Sequence, residues 1–210
     1  MISTRNLNAL PRIPTLIQLT QSLATLDAIM QRDWNYRYYA FDAHWDKFEK
    51  MAAMRNGSGD EWYLLFSPAG AILKGFAHES IMNDGPPWPG VLSSVPAVFE
   101  SFLTQSAFDM EHATFCVWRT NLDTVWHTGP VDFPPGPDPD GSANLLKILD
   151  GNPQSYVTFA RDYFEHDPPF VAVDHIYRHR RLTQAIVSKL NPKVAIEDLV
   201  DDLAEIGYPA

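Results

Sequence analysis

The sequence Trp62-Tyr-Leu-Leu-Phe-Ser-Pro-Ala-Gly-Ala-Ile-Leu73 decides the fold. It contains two apolar runs, Trp62–Phe66 and Ala71–Leu73, on either side of a Pro-Ala-Gly turn signal. Aromatic and branched apolar residues that flank a short segment with proline and glycine are typical of a β-hairpin. A glycine-rich segment at residues 56–59 marks another turn, so we predict consecutive hairpins between residues 36 and 76.

A second pair of strands is predicted further along the chain, at residues 114–119 and 125–127. Successive side chains of a strand point to opposite faces of the sheet. Thr114, Cys116 and Trp118 are therefore expected on one face, and the residues between them on the other. A short helix near residues 95–102 separates this pair from the first hairpins, so the chain is predicted to form a small, mostly antiparallel sheet.

An amphipathic helix is predicted on the N-terminal side of the sheet. Between residues 15 and 30, after Pro14, apolar residues recur at spacings of three and four: Leu16, Leu19, Leu23, Leu26 and Met30. That period places the apolar side chains on one face of a helix, and this face is expected to be buried.

The last third of the chain is predicted to be helical. The proline-rich segment at residues 130–140 is interpreted as an extended loop or as a boundary between lobes. Helices are predicted after it at residues 142–149, 153–164, 182–190 and 196–206. The whole pattern predicts an α+β fold in a single domain, residues 1–210, with possible lobes at 13–129 and 140–210.

The composition argues against several classes of protein. The chain has 16 Lys and Arg against 26 Asp and Glu, a net charge of −10, so binding to nucleic acid is not expected. Cys116 is the only cysteine, which excludes an intrachain disulfide, and it is expected to be a buried small side chain. No segment is apolar enough for a signal peptide or a membrane span, and no cofactor motif is present. We therefore expect a cytoplasmic protein that needs no cofactor.

The predicted C-terminal helix has one acidic face. Five carboxylates recur along it at spacings of one and three: Glu197, Asp198, Asp201, Asp202 and Glu205. No Lys or Arg lies between Val194 and Ala210, so these residues account for half of the net charge of −10. Like charges one turn apart destabilise a helix by about 0.2–0.5 kcal/mol per pair. The face is interpreted either as a solvated surface or as the binding site of a basic partner.

Four residues are candidates for acid/base chemistry. Asp60 and Glu61 follow the glycine-rich turn, and His78 and Glu79 come at the end of the next predicted strand. If the two ends meet across the hairpin, they bring an acid and a base together. The alternative interpretation is that these residues only form turns and caps.

Two patterns resemble metal-ligand spacings. On a strand, Asp42, His44 and Asp46 would all point the same way, and on a helix His175 and His179 would lie one turn apart. The helical pair lacks the glutamate of a zincin helix and has no third ligand nearby. We therefore predict no metal site, and keep these five residues as candidates for one.

The centre of the chain resembles the SUKH superfamily, also called SMI1/KNR4-like. Three segments carry the resemblance: Asn-Gly-Ser-Gly-Asp-Glu-Trp-Tyr-Leu-Leu-Phe at 56–66, Ile-Leu-Lys-Gly-Phe-Ala-His-Glu at 72–79 and Val-Pro-Ala-Val-Phe-Glu-Ser-Phe-Leu at 95–103. The resemblance implies an α+β domain that binds other proteins, as do the relatives that are immunity proteins against toxins. Along its length the chain also resembles uncharacterised bacterial proteins.

Three functional hypotheses follow. The first is a non-enzymatic, immunity-like protein that binds a basic protein through its acidic surface. The second is a metal-dependent or acid/base hydrolase that uses Asp60, Glu61, His78 and Glu79. The third is a subunit of a larger assembly, in which the segments around Trp88 and Phe133 form exposed apolar patches.

Overall fold

The computed structural model describes all residues, 1–210, and has an α+β fold. Its centre is a six-stranded antiparallel sheet whose strands lie side by side in chain order. The strands are β1 (Tyr39–Asp46), β2 (Glu49–Arg55), β3 (Glu61–Ser67), β4 (Gly70–Phe76), β5 (Phe115–Thr120) and β6 (His127–Thr128). The predicted hairpins and the predicted second pair of strands are both confirmed.

Seven α-helices accompany the sheet: α1 (Ile13–Met30), α2 (Glu100–Thr104), α3 (Ser142–Leu146), α4 (Pro153–Tyr163), α5 (Phe170–Tyr177), α6 (Gln184–Leu190) and α7 (Val200–Ile206). Short 3-10 turns extend several of them, including Ile196–Leu199 immediately before α7. None of these helices combines the length and apolarity that crossing a bilayer requires.

Both faces of the sheet are covered. The larger core, of 41 buried apolar residues, joins one face to α1 and to the C-terminal helices. The smaller core, of 11 residues, joins the other face to the segment between β4 and β5. On β5, Cys116 and Trp118 belong to the smaller core, whereas Phe115 and Val117 belong to the larger one. The predicted alternation on this strand is therefore confirmed.

The helix predicted at residues 15–30 is present as α1, but it is buried on nearly every side. The expectation of one buried face was too narrow, because the C-terminal helices cover the side that faces away from the sheet. Its polar residues are accommodated by hydrogen bonds to backbone carbonyls. Thr20, Ser22 and Thr25 each donate to the carbonyl four residues earlier, at 2.8–2.9 Å.

The C-terminal third is helical as predicted, but α5 was not among the predicted helices and the last segment differs in its buried face. Leu199, Leu203 and Ile206 are buried at helical spacing and continue the stripe that begins at Ile196. The sequence groups Val200 with Ile196, Leu199, Leu203 and Ile206 on the apolar face of this helix, but Val200 lies beside the buried stripe and is 60% exposed. The buried stripe is narrower than the sequence suggested, because α7 rests on β1 and α1 through one row of side chains.

Candidate functional site

The acidic C-terminal face is partly neutralised by two arginines from a distant part of the chain. Asp202 Oδ2 lies 2.7 Å from Arg32 Nη1, and its Oδ1 lies 2.6 Å from Arg37 Nη1. Burial acts to raise the pKa of Asp202, but the hydrogen bonds from these guanidinium groups outweigh it and hold that pKa below its ordinary value. Asp202 therefore anchors α7 to the rest of the protein and is not free to bind a partner.

The other four carboxylates of this face are exposed: Glu197, Asp198, Asp201 and Glu205. Asp198 is also a helix cap, since its Oδ2 accepts a hydrogen bond from the Ala195 backbone N–H at 3.0 Å. The pKa of Glu205 is raised by partial burial and then by the neighbouring charges of Asp42 and Asp202. This set of four residues is called the acidic face below.

An apolar pocket of about 330 Å³ lies beside the acidic face. Trp34 and Trp45 line it, and so do two acidic residues, Asp42 and Glu205. Trp34 is 52% exposed, and Arg55 lies over its ring with Cζ 4.7 Å from the centroid. The arrangement combines an aromatic surface with an acidic border, and it is called the tryptophan pocket below.

At the end of the β3–β4 hairpin the structure brings Asp60 and His78 together. His78 Nδ1 lies 2.8 Å from Asp60 Oδ1, and the His78 backbone N–H donates to the same oxygen at 2.9 Å. Asn56 Nδ2 donates to the other Asp60 oxygen at 2.7 Å. Glu79 Oε1 is 3.8 Å from His78 Nε2, on a side chain that is 90% exposed. The predicted approach across the hairpin holds for this aspartate and histidine.

Glu61 does not join this group, contrary to the prediction. Its Oε1 accepts a hydrogen bond from Lys74 Nζ at 2.8 Å, and its Oε2 accepts one from the Tyr63 hydroxyl at 3.0 Å. Lys74 is a buried cation, with a side chain that is 0% exposed. Neighbouring residues of a strand point to opposite faces, so Glu61 at the start of β3 is directed away from its neighbour Asp60. The glutamate serves as the counter-ion of the lysine.

The two aspartates among the strand candidates for a metal site accept hydrogen bonds from nearby backbone N–H groups. Asp42 Oδ1 accepts a hydrogen bond from the His44 N–H at 2.7 Å, and Asp46 Oδ1 accepts one from the Lys47 N–H at 2.6 Å. The β1–β2 register is irregular between Asp42 and Asp46, so the alternation on which their common orientation depended is broken. The structure has no group of three or more His, Cys, Asp or Glu side chains placed to hold a metal ion.

The helical histidine pair is also separated. Helix α5 ends at Tyr177, and His179 follows it with a left-handed φ of +52°. His175 Nε2 is 2.9 Å from the Arg181 carbonyl oxygen, whereas His179 Nε2 is 3.2 Å from Gln21 Oε1. The expectation of one helical face was wrong because the helix stops before its second histidine.

Two further expectations concerned buried and exposed side chains. Cys116 is buried, as expected, and burial raises the pKa of its thiol to about 12, which keeps it protonated and unreactive. The residues expected to form exposed apolar patches, Trp88 and Phe133, are only partly exposed, because both rings pack against the smaller core. Trp88 Nε1 also donates to the Asp132 carbonyl at 3.1 Å, and Arg5 lies over the Phe133 ring.

A large cavity was not anticipated from the sequence. It is a cleft of about 850 Å³ between the start of β1, the turn before β3 and the segment from α3 to α4. Tyr38, Phe159 and Tyr163 form an aromatic wall, and three aspartates line the remainder. The only sequence signal was the spacing of four between Phe159 and Tyr163, which places both rings on one face of α4. It is called the α4 cleft below.

A buried carboxyl lies in the core near this cleft. Asp27 Oδ2 accepts hydrogen bonds from the backbone N–H groups of Tyr38 and Tyr39, at 2.8 and 2.9 Å. Its Oδ1 accepts a hydrogen bond from the Tyr156 hydroxyl at 2.7 Å. Burial raises the pKa of Asp27 to about 7, although these hydrogen bonds and Arg37 act to lower it. Asp27 ties α1 to β1 and α4.

The chain was compared with known proteins in three ways. It matches no family model, no curated protein and no solved structure. The interpretation of its function therefore rests on the geometry of its own residues.

Proposed function

We propose that this protein is a non-enzymatic binding protein, of the immunity-like kind that the SUKH resemblance implies, and that it captures a basic protein partner. The observation that carries the proposal is the position of the tryptophan pocket beside the acidic face. Glu205 belongs to both, since it lines the pocket and is one of the four exposed carboxylates. Protein interfaces typically place aromatic residues at the centre and charged residues at the rim.

The two parts of this surface have different tasks. The acidic face attracts a basic partner over a distance and increases the rate of association, an effect that salt weakens. Trp34, half exposed at the pocket, supplies the apolar area that holds the partner after contact. Because Asp202 is paired with Arg32 and Arg37, the charge offered to a partner comes from the other four carboxylates.

The first test reverses charge on the acidic face. In the variant Glu197→Lys/Asp201→Lys, capture of a basic partner from a bacterial lysate at low ionic strength is expected to fall at least about tenfold, because the steering field is reversed. Trp34→Ala is expected to weaken the same complex by about 2 kcal/mol, as for a central interface residue. Titration of the captured, purified partner against each variant measures both effects.

The matched control is Glu79→Lys/Asp84→Lys, which changes the net charge equally at exposed positions near the β3–β4 hairpin. This control should bind as the unaltered protein does. The proposal is wrong if partner binding changes neither with salt concentration nor on reversal of the acidic face. It is also wrong if the two charge variants lose the same amount of binding affinity.

A second candidate function is an acid/base hydrolase, which the contact between Asp60 and His78 favours. A carboxylate at 2.8 Å from Nδ1 orients the ring and leaves Nε2 available as a base toward water. His78 is 38% exposed, so a substrate can reach it. Of the four residues first considered for this role, Glu61 is excluded by its contact with Lys74.

His78→Ala is expected to reduce any hydrolysis of chromogenic ester, phosphate or glycoside substrates by about 10²–10⁴-fold, the usual contribution of a general base. The control is His112→Ala, because His112 Nδ1 lies 2.8 Å from Asp109 Oδ2 in a similar exposed pair elsewhere. Activity that survives His78→Ala, or that falls equally in both variants, rules out this dyad as the catalyst.

A further inference from the structure

The α4 cleft has the size and lining of a small-molecule site, and it is separate from the acidic face and the tryptophan pocket. At about 850 Å³ it lies within the range of about 300–1,000 Å³ that is usual for ligand pockets. Most of its lining is apolar, including Met54, Leu145 and Ile148 from three different elements. The cleft therefore combines a mainly apolar floor with a small number of polar groups around it, as in most ligand sites.

One wall of the cleft is built from three aromatic rings. The ring centroids of Tyr38 and Tyr163 are 4.5 Å apart at an interplanar angle of 66°. Phe159 is stacked with Tyr163 at 5.6 Å, and lies 4.9 Å from Tyr38. The Tyr163 hydroxyl donates to the Tyr36 carbonyl at 3.2 Å, which fixes the ring in the wall. Aromatic faces carry partial negative charge and attract cations within about 6 Å.

The charged groups of the cleft are mainly negative. Asp60, Asp150 and Asp162 line it, against the single cation of Lys147 among the side chains. Lys147 Nζ is engaged with Asn144 Oδ1 at 2.8 Å, and the Asp150 carboxylate accepts from the Ser155 hydroxyl at 2.7 Å.

Asp162 is the lining carboxylate without a partner in the chain. The neighbouring cationic residue on α4, Arg161, is paired with Asp167 instead, and its Nη2 lies 2.7 Å from Asp167 Oδ1. Asp162 and Tyr163 are consecutive residues near the end of α4, and both line the cleft. A free carboxylate next to the aromatic wall provides the counter-charge that a bound cation needs.

We infer that the α4 cleft binds a small organic cation, an ammonium group carried on an apolar body. The apolar floor takes the body of the ligand, the rings of Tyr38 and Tyr163 face its positive charge, and Asp162 pairs with that charge. A neutral molecule of the same shape gains only the apolar contacts, and an anion is repelled by the three aspartates.

The experiment compares three probes of nearly equal shape by chemical-shift titration of the full chain. Phenethylamine is protonated at neutral pH, 2-phenylethanol is neutral and phenylacetate is an anion. The amine is expected to bind about tenfold more tightly than the alcohol, from one cation–aromatic contact and one exposed ion pair together. The anion should bind more weakly than the alcohol.

Two variants and one control locate the site. Asp162→Asn is expected to weaken amine binding about threefold and to leave alcohol binding unchanged, since only the ion pair is lost. Tyr163→Leu retains apolar volume but removes the aromatic face, so the preference for the amine over the alcohol should fall about threefold. Asp84→Asn removes an exposed carboxylate outside the cleft and should change nothing.

Several outcomes would overturn the inference. They are equal binding of the amine and the alcohol, tighter binding of the anion, the same effect from Asp162→Asn and Asp84→Asn, and absence of amine binding at millimolar concentration. None of them bears on the acidic face, because the titration uses no protein partner.

Discussion

Replacement of Glu61 with alanine is expected to lower the free energy of unfolding by about 3–5 kcal/mol, as the loss of one partner from a buried ion pair does. The side chain of Lys74 is 0% exposed, and Glu61 supplies its counter-charge at 2.8 Å. The rings of Tyr63 and Phe76 also face the ammonium group, at 5.7 and 5.6 Å from Nζ to their centroids. These contacts offset only part of the loss, since each is worth about 1–2 kcal/mol. Urea unfolding at neutral pH, followed by tryptophan fluorescence, measures the change.

Two further variants separate the ion pair from other effects of the substitution. Glu79→Ala removes a carboxylate that is 90% exposed and should change stability by less than about 0.5 kcal/mol. The double variant Glu61→Gln/Lys74→Met replaces both charges by neutral groups of similar shape and should recover most of the loss. If Glu61→Ala is no more harmful than Glu79→Ala, the lysine does not depend on the glutamate and the structural role assigned to Glu61 is wrong.

The sheet was largely predictable because its signals are local. Each strand of the β3–β4 hairpin is an apolar run, and the turn residues between them are adjacent in the sequence. The alternation on β5 was also readable, because period two is a property of any strand. Lys74 shows where this reading fails. It lies two residues after Ile72, on a face that the smaller core covers, and its burial is explained by Glu61 on the neighbouring strand and by the rings of Tyr63 and Phe76.

The helices show a different limit. The bounds predicted for α1 are nearly those observed, because apolar spacing and Pro14 are local features. Its exposure was not predictable, since the helices that cover it begin more than a hundred residues later. The polar residues Thr20, Ser22 and Thr25 are buried as well, and their hydroxyl groups are satisfied by carbonyls of the same helix. A polar residue in a helix therefore does not by itself indicate contact with water.

The candidate sites also differ in whether their residues come from one hairpin or from distant segments of the chain. Asp60 and His78 could be brought together by reasoning, because the ends of a hairpin meet wherever the turn lies between them. The pairing of Asp202 with Arg32 and Arg37 joins segments that are 165–170 residues apart, and no local pattern shows it. The α4 cleft likewise requires the helical third to be placed against the start of β1. Surfaces assembled from distant segments are those that sequence periodicity leaves undetermined.

Asp27 gives the second large prediction, through the dependence of stability on pH. Its ordinary pKa of 3.8 is raised to about 7 in the folded protein, chiefly by burial. Well below pH 3.8 the carboxyl is protonated in both the folded and the unfolded state, so ionisation of Asp27 takes nothing from the stability of the fold. As the pH rises from 3.8 to about 7, the unfolded chain releases a proton that the folded protein retains, so the free energy of unfolding falls. The total loss amounts to about 4 kcal/mol and is complete above the folded pKa.

Asp27→Asn isolates this contribution because the amide can keep every contact of the carboxyl. Its oxygen can accept from the Tyr38 and Tyr39 N–H groups, and its NH₂ can donate to the Tyr156 hydroxyl oxygen, whose own proton then turns away. Urea unfolding from pH about 5 to about 8 should show the unaltered protein losing about 2–3 kcal/mol more than this variant. Asp84→Asn, which removes an exposed carboxylate, should keep the full dependence. An unchanged slope in Asp27→Asn would mean that Asp27 is already ionised at low pH, and that its three hydrogen bonds outweigh the effect of burial.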